Sequence, residues 1–251
     1  RTGESQAINM VTQTLDNMAR GGIYDQIGGG FHRYSTDAFW LVPHFEKMLY
    51  DNALLSKIYL HAFQATHNPN YKAIAEETLD YVLREMTNPE GGFYSAQDAD
   101  SEGEEGKFFV WTHKDIEQIL GNDMAPILCK HLGITSAGNF GNLNILNITK
   151  TTAELARESQ LPIEEIQAQI NSAKEKLLAA RFNRIAPLTD TKILTSWNGL
   201  MLNSMALAGS ILGRNDYTAA AVKNAAFLLE HLQVEGRIFR SRNDDQSYGK
   251  G

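Results

Sequence analysis

From Tyr71 to Met86 the apolar positions return every three or four residues: Tyr71, Ile74, Ala75, Thr78, Leu79, Val82, Leu83 and Met86. That period is the signature of a helix with one buried face, and it predicts a helix over 70–87. Asn88-Pro89-Glu90-Gly91-Gly92 then breaks it. The same period recurs along most of the chain. It predicts helices near 4–20, 43–66, 113–120, 123–132, 151–159, 162–181, 194–213 and 215–233. In the first of these Ile8, Val11, Leu15 and Met18 share a face, and Gly21-Gly22 stops the helix. Long helices joined by short loops can bury their apolar faces only against one another. The expectation is therefore an all-α fold of antiparallel helical hairpins, in one domain over residues 1–251, because no Pro- or Ser-rich linker divides the chain.

Residues 91–112 change character. GGFYSAQDADSEGEEGKFFVWT sets an acidic turn between two aromatic runs, Phe93-Tyr94 and Phe108-Phe109-Val110-Trp111, and predicts a small β-hairpin excursion. Thr112 is placed to cap the next helix, with Asp115 in its first turn. A weak repeat accompanies the helices. Gly21-Gly22-Ile23-Tyr24, Gly91-Gly92-Phe93-Tyr94 and Gly236-Arg237-Ile238-Phe239 each follow a helix, as if hairpins returned glycine–aromatic loops to one rim.

Composition narrows the functional classes. A net charge of −7 argues against nucleic acid as a partner, since phosphate binding needs clustered Lys and Arg. No apolar run approaches the roughly 20 residues of a membrane-spanning helix. The single cysteine, Cys129, sits beside Ile127 and Leu128, which predicts a buried structural thiol and fits a reducing, cytoplasmic setting.

The chemistry-bearing groups crowd into GGIYDQIGGGFHRYSTDAFWLVPHFEKMLYDNALL, residues 21–55. Pro43 suits the first turn of the helix expected at 43–66. On that helix His44, Lys47 and Asp51 fall in one stripe, and Glu46 points roughly the other way as an acid near a helix N-terminus. The acidic turn opens like a calcium loop, with Asp98, Asp100, Glu102 and Gly103. Its twelfth position is Phe109 where a Glu is required, so an EF-hand is excluded. Neither a zinc motif, nor a G-x-S-x-G elbow, nor a complete P-loop is present, and no metal or cofactor is assigned.

Three blocks carry a resemblance: residues 21–55, then YSAQDADSEGEEGKFFVWT, then DTKILTSWNGLM. In composition, order and spacing they resemble the signature blocks of the YyaL-like, spermatogenesis-associated protein 20 family, described as thioredoxin-domain-containing. The resemblance implies a helical toroid of the (α/α)6, six-hairpin glycosidase type, similar to N-acylglucosamine 2-epimerases and cellobiose 2-epimerases. The family's thioredoxin-like domain is absent from this chain and there is no Cys-x-x-Cys, so no redox activity carries over. About six long helices stand where a complete toroid has twelve, which implies an incomplete ring. Such a chain is expected to self-associate or to expose an apolar groove. The family pattern also has an acidic residue where this chain has Gly141-Asn142-Leu143.

Sugar chemistry suits the groups these blocks supply. Rings stack on aromatics, and hydroxyls are gripped by charged and amide side chains. The expected ligand is a carbohydrate-like small molecule, contacted by Arg33, Tyr34, Trp40, Lys47, Trp111, Asp190, Trp197 and Asn198. His44 is the natural base for epimerisation beside a carbonyl, because its ordinary pKa lies near neutrality. Asp98 and Asp100, two apart, would share a strand face and couple as the carboxylates of a glycosidase-like reaction. Blander roles stand beside these: His44 as a bridge between helices, the acidic loop as solvated surface, Trp197 as core. The competing class is a non-catalytic interaction module.

Overall fold

A computed structural model describes residues 5–243 and 248–249. Glu4, the first residue of the expected opening helix, and most of the polar segment after Asn243 lie outside the described residues. In chain order, α1 (Ser5–Arg20) is followed by β1 (Tyr34–Ser35), β2 (Pro43–His44) and β3 (Lys47–Met48). Next are α2 (Leu49–Thr66), α3 (Pro69–Glu85), β4 (Ala96–Gln97), β5 (Asp100–Ser101) and β6 (Glu104–Glu105). Then α4 (His113–Leu132), α5 (Thr152–Ser159) and α6 (Ile163–Arg181) precede β7 (Thr189–Asp190) and β8 (Ile193–Leu194). After α7 (Thr195–Leu212) and α8 (Asn215–His231) the chain forms β9 (Gln233–Val234), β10 (Arg237–Ile238), β11 (Ser241–Arg242) and β12 (Tyr248–Gly249). The fold is mostly helical with small strand pairs, and it divides into two compact units.

Unit 1 takes Arg1–Gly28, Tyr34–Phe45 and Ala99–Pro187. Its core is the seam between α4 and α6, where Ile116, Leu120, Leu128 and Leu132 meet Ile166, Ile170, Ala173 and Leu177. Burying each of these leucines and isoleucines stabilises the unit by roughly 1.5–3 kcal/mol. Thr112 caps α4 through a reciprocal pair: its hydroxyl accepts from Asp115 N at 3.0 Å, and the Asp115 carboxylate accepts from Thr112 N at 3.1 Å. Gly121, at φ 71° and ψ 179°, kinks α4 into the two pieces expected from the sequence. Arg181 ends α6 with a buried bidentate pair to Asp25, both contacts at 2.9 Å. Breaking that pair would leave an uncompensated buried charge. Cys129 is buried, and burial pushes its thiol up to about 11, which makes it inert at neutral pH.

Unit 2 takes Gly29–Arg33, Glu46–Asp98 and Leu188–Gly251. Here α2 packs on both α3 and α7, and α7 on α8. The buried face of α3 is the one its period predicts, including Tyr71, Ala75, Leu79 and Val82. Ser204 of α7 comes close enough for its hydroxyl to donate to Ala53 O of α2 at 2.7 Å.

Two helices of unit 2 start in the same way. At the first turn of α2, Asn52 accepts from Phe31 N at 2.7 Å and donates to Phe31 O at 3.1 Å and Met48 O at 2.9 Å. At the first turn of α7, Asn198 accepts from Phe93 N at 2.8 Å and donates to Phe93 O at 2.9 Å and Leu194 O at 3.0 Å. Each asparagine thus pins a glycine–aromatic loop to a helix start. The loops are Gly29-Gly30-Phe31 and Gly91-Gly92-Phe93. Gly30 lies at φ 79°, and a Cβ there would enter the Tyr81 ring, so only glycine fits. The strands leading in are also alike. β3 pairs with β4, placing Met48 opposite Ala96, and β8 pairs with β11, placing Leu194 opposite Ser241. Leu49 N donates to Ser95 O at 2.9 Å, and Thr195 N to Arg240 O at 3.0 Å.

Three expectations need correction. The helix expected from 43 begins at Leu49, because 43–48 is spent on strand pairing: Pro43 and His44 with β1, Lys47 and Met48 with β4. His44, Lys47 and Asp51 therefore share no helical stripe, and Pro43 is not in a first turn. The hairpin of 91–112 is smaller than expected. Its strands are β5 and β6, closed by Glu102 and Gly103, both at positive φ, and not the aromatic runs. Phe108, Phe109 and Val110 instead form a buried cluster with Phe45, Ala99 and Ile145. The geometric repeat is carried by Phe31 and Phe93. Gly236 belongs to the turn between β9 and β10, and Gly21 packs against the Trp40 carbonyl.

Candidate functional site

A cleft of about 800 Å³ opens in unit 2. One wall comes from the β3–β4 side, with Glu46, Met48, Ser95, Ala96 and Asp98. β7 pairs with β4 and adds Asp190 to that side, whereas the other wall comes from the β8–β11 side and carries Lys192, Trp197 and Arg240. The repeated strand-into-helix connections build both walls, so the lining is set by backbone pairing rather than by loose loops. Three carboxylates, two cations and one indole face the same space.

Several of these groups are held in place. Glu46 Oε2 accepts from Arg33 Nη1 at 3.1 Å, and Arg33 N donates to Glu46 O at 2.8 Å, so the two residues are tied through side chain and backbone. Tyr50 and Glu46, beside the Arg33 guanidinium, raise its pKa above the ordinary value. The Tyr50 ring meets Trp197 edge-on, with centroids 4.8 Å apart. Asp190 accepts from Lys192 N at 3.1 Å, which folds the β7–β8 turn, and its carboxylate also meets the Lys192 ammonium at 3.5 Å. Behind Glu46, Asp51 has a buried carboxylate oxygen, Oδ2, without a hydrogen-bond partner. Burial pushes Asp51 up to about 6; Glu46 adds to the rise, while Arg33 and a hydrogen bond from Tyr50 oppose it.

The sequence-predicted site residues divide between the units. In unit 2, Asp98, Asp190 and Trp197 line the cleft, and Arg33 holds Glu46. Lys47 and Asn198 have internal duties instead. Lys47 is buried, donates to Gly29 O at 2.9 Å and lies over the Tyr81 ring at 4.1 Å. Asn198 is the buried clamp on Phe93.

In unit 1, His44 Nδ1 is 2.7 Å from Glu105 Oε1, and its ring stacks on Tyr34 at 5.1 Å. Trp40 is half-buried with φ 63°, and its carbonyl accepts from Ile23 N. Trp111 is core, 1% exposed, with the Arg184 guanidinium 3.6 Å over its ring, so it offers no stacking surface to a ligand. Asp98 and Asp100 are both exposed, but they do not share a strand: Asp98 follows β4 in unit 2, and Asp100 opens β5 in unit 1.

Sequence reasoning named Glu46 and Asp51 without giving them a site role, and passed over Lys192, Arg240, Tyr50 and Glu105. Glu46 was hidden by the helical reading of 43–48. Lys192 stood in the third block beside Asp190. Arg240 carried no signal of its own, because its position follows from the β8–β11 pairing.

Among the described residues no three His, Cys, Asp or Glu side chains are grouped to hold a metal ion. Among them, too, no helix is long and apolar enough to cross a membrane.

No protein-family model matches the chain. It is similar to spermatogenesis-associated protein 20 of Homo sapiens, 40% identical over 264 residues, covering 94% of this chain and 34% of the human protein. It is also similar to the uncharacterized protein B0495.5 of Caenorhabditis elegans, 33% identical, covering 94% of this chain and 36% of that protein. Among solved structures, the one described as "UGL_D88N/dGlcA-Glc-Rha-Glc" has the same fold, with a TM-score of 0.50 over 98% of this chain and 45% of that one. Identity there is 13%, so the likeness is one of fold alone. The chain spans about a third of the length of the curated relatives it matches. Over the stretch that it spans, this chain belongs to the spermatogenesis-associated protein 20 family.

Proposed function

We propose that unit 2 binds a carbohydrate-like ligand in its cleft and that the chain is a sugar-modifying domain working through carboxylates. The observation that carries this is the joining of Trp197 with Glu46, Asp98 and Asp190 around one space. An indole face suits the apolar side of a sugar ring, and carboxylates accept from its hydroxyls. Two of the three carboxylates suffice for glycoside hydrolysis, one donating a proton and one assisting attack. The ligand class to try first is the sugar chain, the kind of ligand recorded for the fold neighbour. The experiment is a panel of oligosaccharides and p-nitrophenyl glycosides, read by thermal shift and by release of nitrophenol. Binding that is weakened by Trp197→Ala supports the reading. No binding and no turnover across the panel would leave the non-catalytic interaction module in its place.

A histidine-based reading has one observation of its own. Glu105 Oε1 lies 2.7 Å from Nδ1 of His44, which supports a base role for the other ring nitrogen in unit 1. Epimerisation beside a carbonyl would then place deuterium at C2 of a reducing sugar in heavy water, and His44→Ala would abolish the exchange. That result would be independent of the carboxylates of unit 2.

The fold likeness supports reading the chain as part of an (α/α) toroid, and a partial ring leaves apolar faces to cover. Self-association in light scattering, or strong binding of an apolar dye, is expected; a monomer that binds no dye would oppose it. A cytoplasmic setting, suggested by the single cysteine, belongs to the same proposal.

A further inference from the structure

Resting on the reading of the cleft as a sugar site, and deepening it, we propose that the ligand is an acidic sugar and that Arg240 is the residue that selects it. The walls of the cleft differ in sign. Glu46, Asp98 and Asp190 line the β3–β4–β7 side, whereas Lys192 and Arg240 line the β8–β11 side, with Trp197 on the same wall. A sugar whose ring lies on Trp197 can offer its hydroxyls to the acceptors and a charged substituent to the cations.

Pairing inside the protein decides which charges are left for a ligand. Glu46 is ion-paired with Arg33 at 3.1 Å, and Asp190 with Lys192 at 3.5 Å. Arg240 differs. It is exposed, and among the described residues its guanidinium has no ion-pair or hydrogen-bond partner. Its backbone is nevertheless fixed. Arg240 O accepts from Thr195 N at 3.0 Å, Phe239 O accepts from Thr195 Oγ1 at 2.6 Å, and Ser241 pairs with Leu194. Thr195 opens α7, the helix whose first turn carries Trp197, so cation and indole are set by one rigid start. A planar guanidinium on a fixed backbone, uncommitted and lining a cleft, suits a bidentate pair with a carboxylate.

The opposite wall enforces the orientation. An anionic group turned that way would meet exposed Asp98, so the acidic substituent goes to Arg240 and the hydroxyls to the carboxylates. An ion-paired Glu46 suits the carboxylate that assists attack rather than the one that donates a proton. The chemical class is a sugar bearing an oxyanion. A uronic acid is the first to try, and a sugar phosphate offers the same charge in tetrahedral form.

The test is calorimetric binding by the full chain of methyl glucuronide, its neutral amide, methyl glucoside and glucose-6-phosphate. Methyl glucuronide should bind about tenfold or more tighter than its amide, and the margin should shrink as salt is raised. Arg240→Met should abolish that margin by weakening the glucuronide, with the glucoside affected far less, and Arg240→Lys should keep part of it. Lys192→Gln should reduce the margin less than Arg240→Met, because Asp190 already engages Lys192. Stronger binding of the sugar phosphate, lost in Arg240→Met, would support the role of Arg240 and make phosphate the oxyanion. Equal affinity for glucuronide and amide, or a margin that survives in Arg240→Met, overturns the selection of an acidic sugar and leaves the sugar reading of the cleft standing. Absence of binding by every one of these sugars overturns both.

Discussion

At the start of α2, Asn52 grips Phe31 with one accepted and one donated hydrogen bond; at the start of α7, Asn198 grips Phe93 in the same way. Six residues before each asparagine stands a cleft residue, Glu46 in one case and Lys192 in the other. One residue before it stands Asp51 or Trp197. The scaffold is repeated and the chemistry is not. A shared backbone device presents two different sets of side chains to one cleft: an ion-paired acid backed by a partly buried carboxylate on one side, an indole and a lysine on the other. Function in unit 2 is thus written in the positions that differ between two equivalent frames.

Removing the shared device should cost most. Asn198→Ala leaves the Phe93 N–H and C=O unpaired in the core and also strips Asn224 of the acceptor it reaches at 2.9 Å. Asn52→Ala leaves the corresponding groups of Phe31. Each variant should lose about 2–4 kcal/mol in urea unfolding, with Asn198→Ala the greater loss. Equal and negligible losses would mean that the two clamps do not hold the helix starts.

The differing positions come next. Glu46→Gln should reduce turnover of a glycoside substrate by about a hundredfold or more, whereas Lys192→Gln should change it by less than about tenfold. The reverse order would move the proton-handling role to the α7 side.

Asp51 gives a signed pH dependence. Its folded pKa of about 6 lies above the ordinary 3.8, so between those values the folded chain binds more protons than the unfolded one. Its contribution is therefore most favourable below about pH 4 and is lost as pH rises through 6. Allowing for partial exposure, the change is about 1–2 kcal/mol. Comparing denaturation of wild type and Asp51→Asn from pH 3.5 to 7 should show the difference growing in favour of the variant as pH rises. A flat difference would contradict the burial of Asp51.

Trp197→Phe is the mildest change, keeping a ring against Tyr50. Stability should fall by about 1 kcal/mol or less, with a several-fold loss of sugar affinity and loss of ligand-dependent indole fluorescence. A fluorescence response that survives this change would place the ligand elsewhere.

The helices were legible because their signal is local. The Tyr71–Met86 period gave α3 to within two residues at each end, and Thr112 with Asp115 announced the α4 cap that the structure contains. Residues 43–48 were not legible. Their apolar spacing at Phe45, Met48 and Leu49 suits a helix, and what overrides it is pairing with Tyr34–Ser35 and with Ala96–Gln97, the latter almost fifty residues away. The candidate site was half legible. Asp98, Asp190 and Trp197 stood in conspicuous blocks and line the cleft, but Arg240 reaches it only through the β8–β11 ladder. Trp111, Lys47 and Asn198 look identical in sequence to ligand-facing residues; their burial is decided by partners such as Arg184, Tyr81 and Phe93 that no local pattern reveals.

The most direct measurement is an amide NMR titration of the full chain with neutral and acidic oligosaccharides. Saturable shifts should gather at residues 46–48, 95–98, 189–197 and 240–241, which line the cleft, and should vanish in a Glu46→Gln, Trp197→Ala double variant that keeps its helical content. Shifts confined to other residues, or none with any sugar, would contradict a carbohydrate site in unit 2.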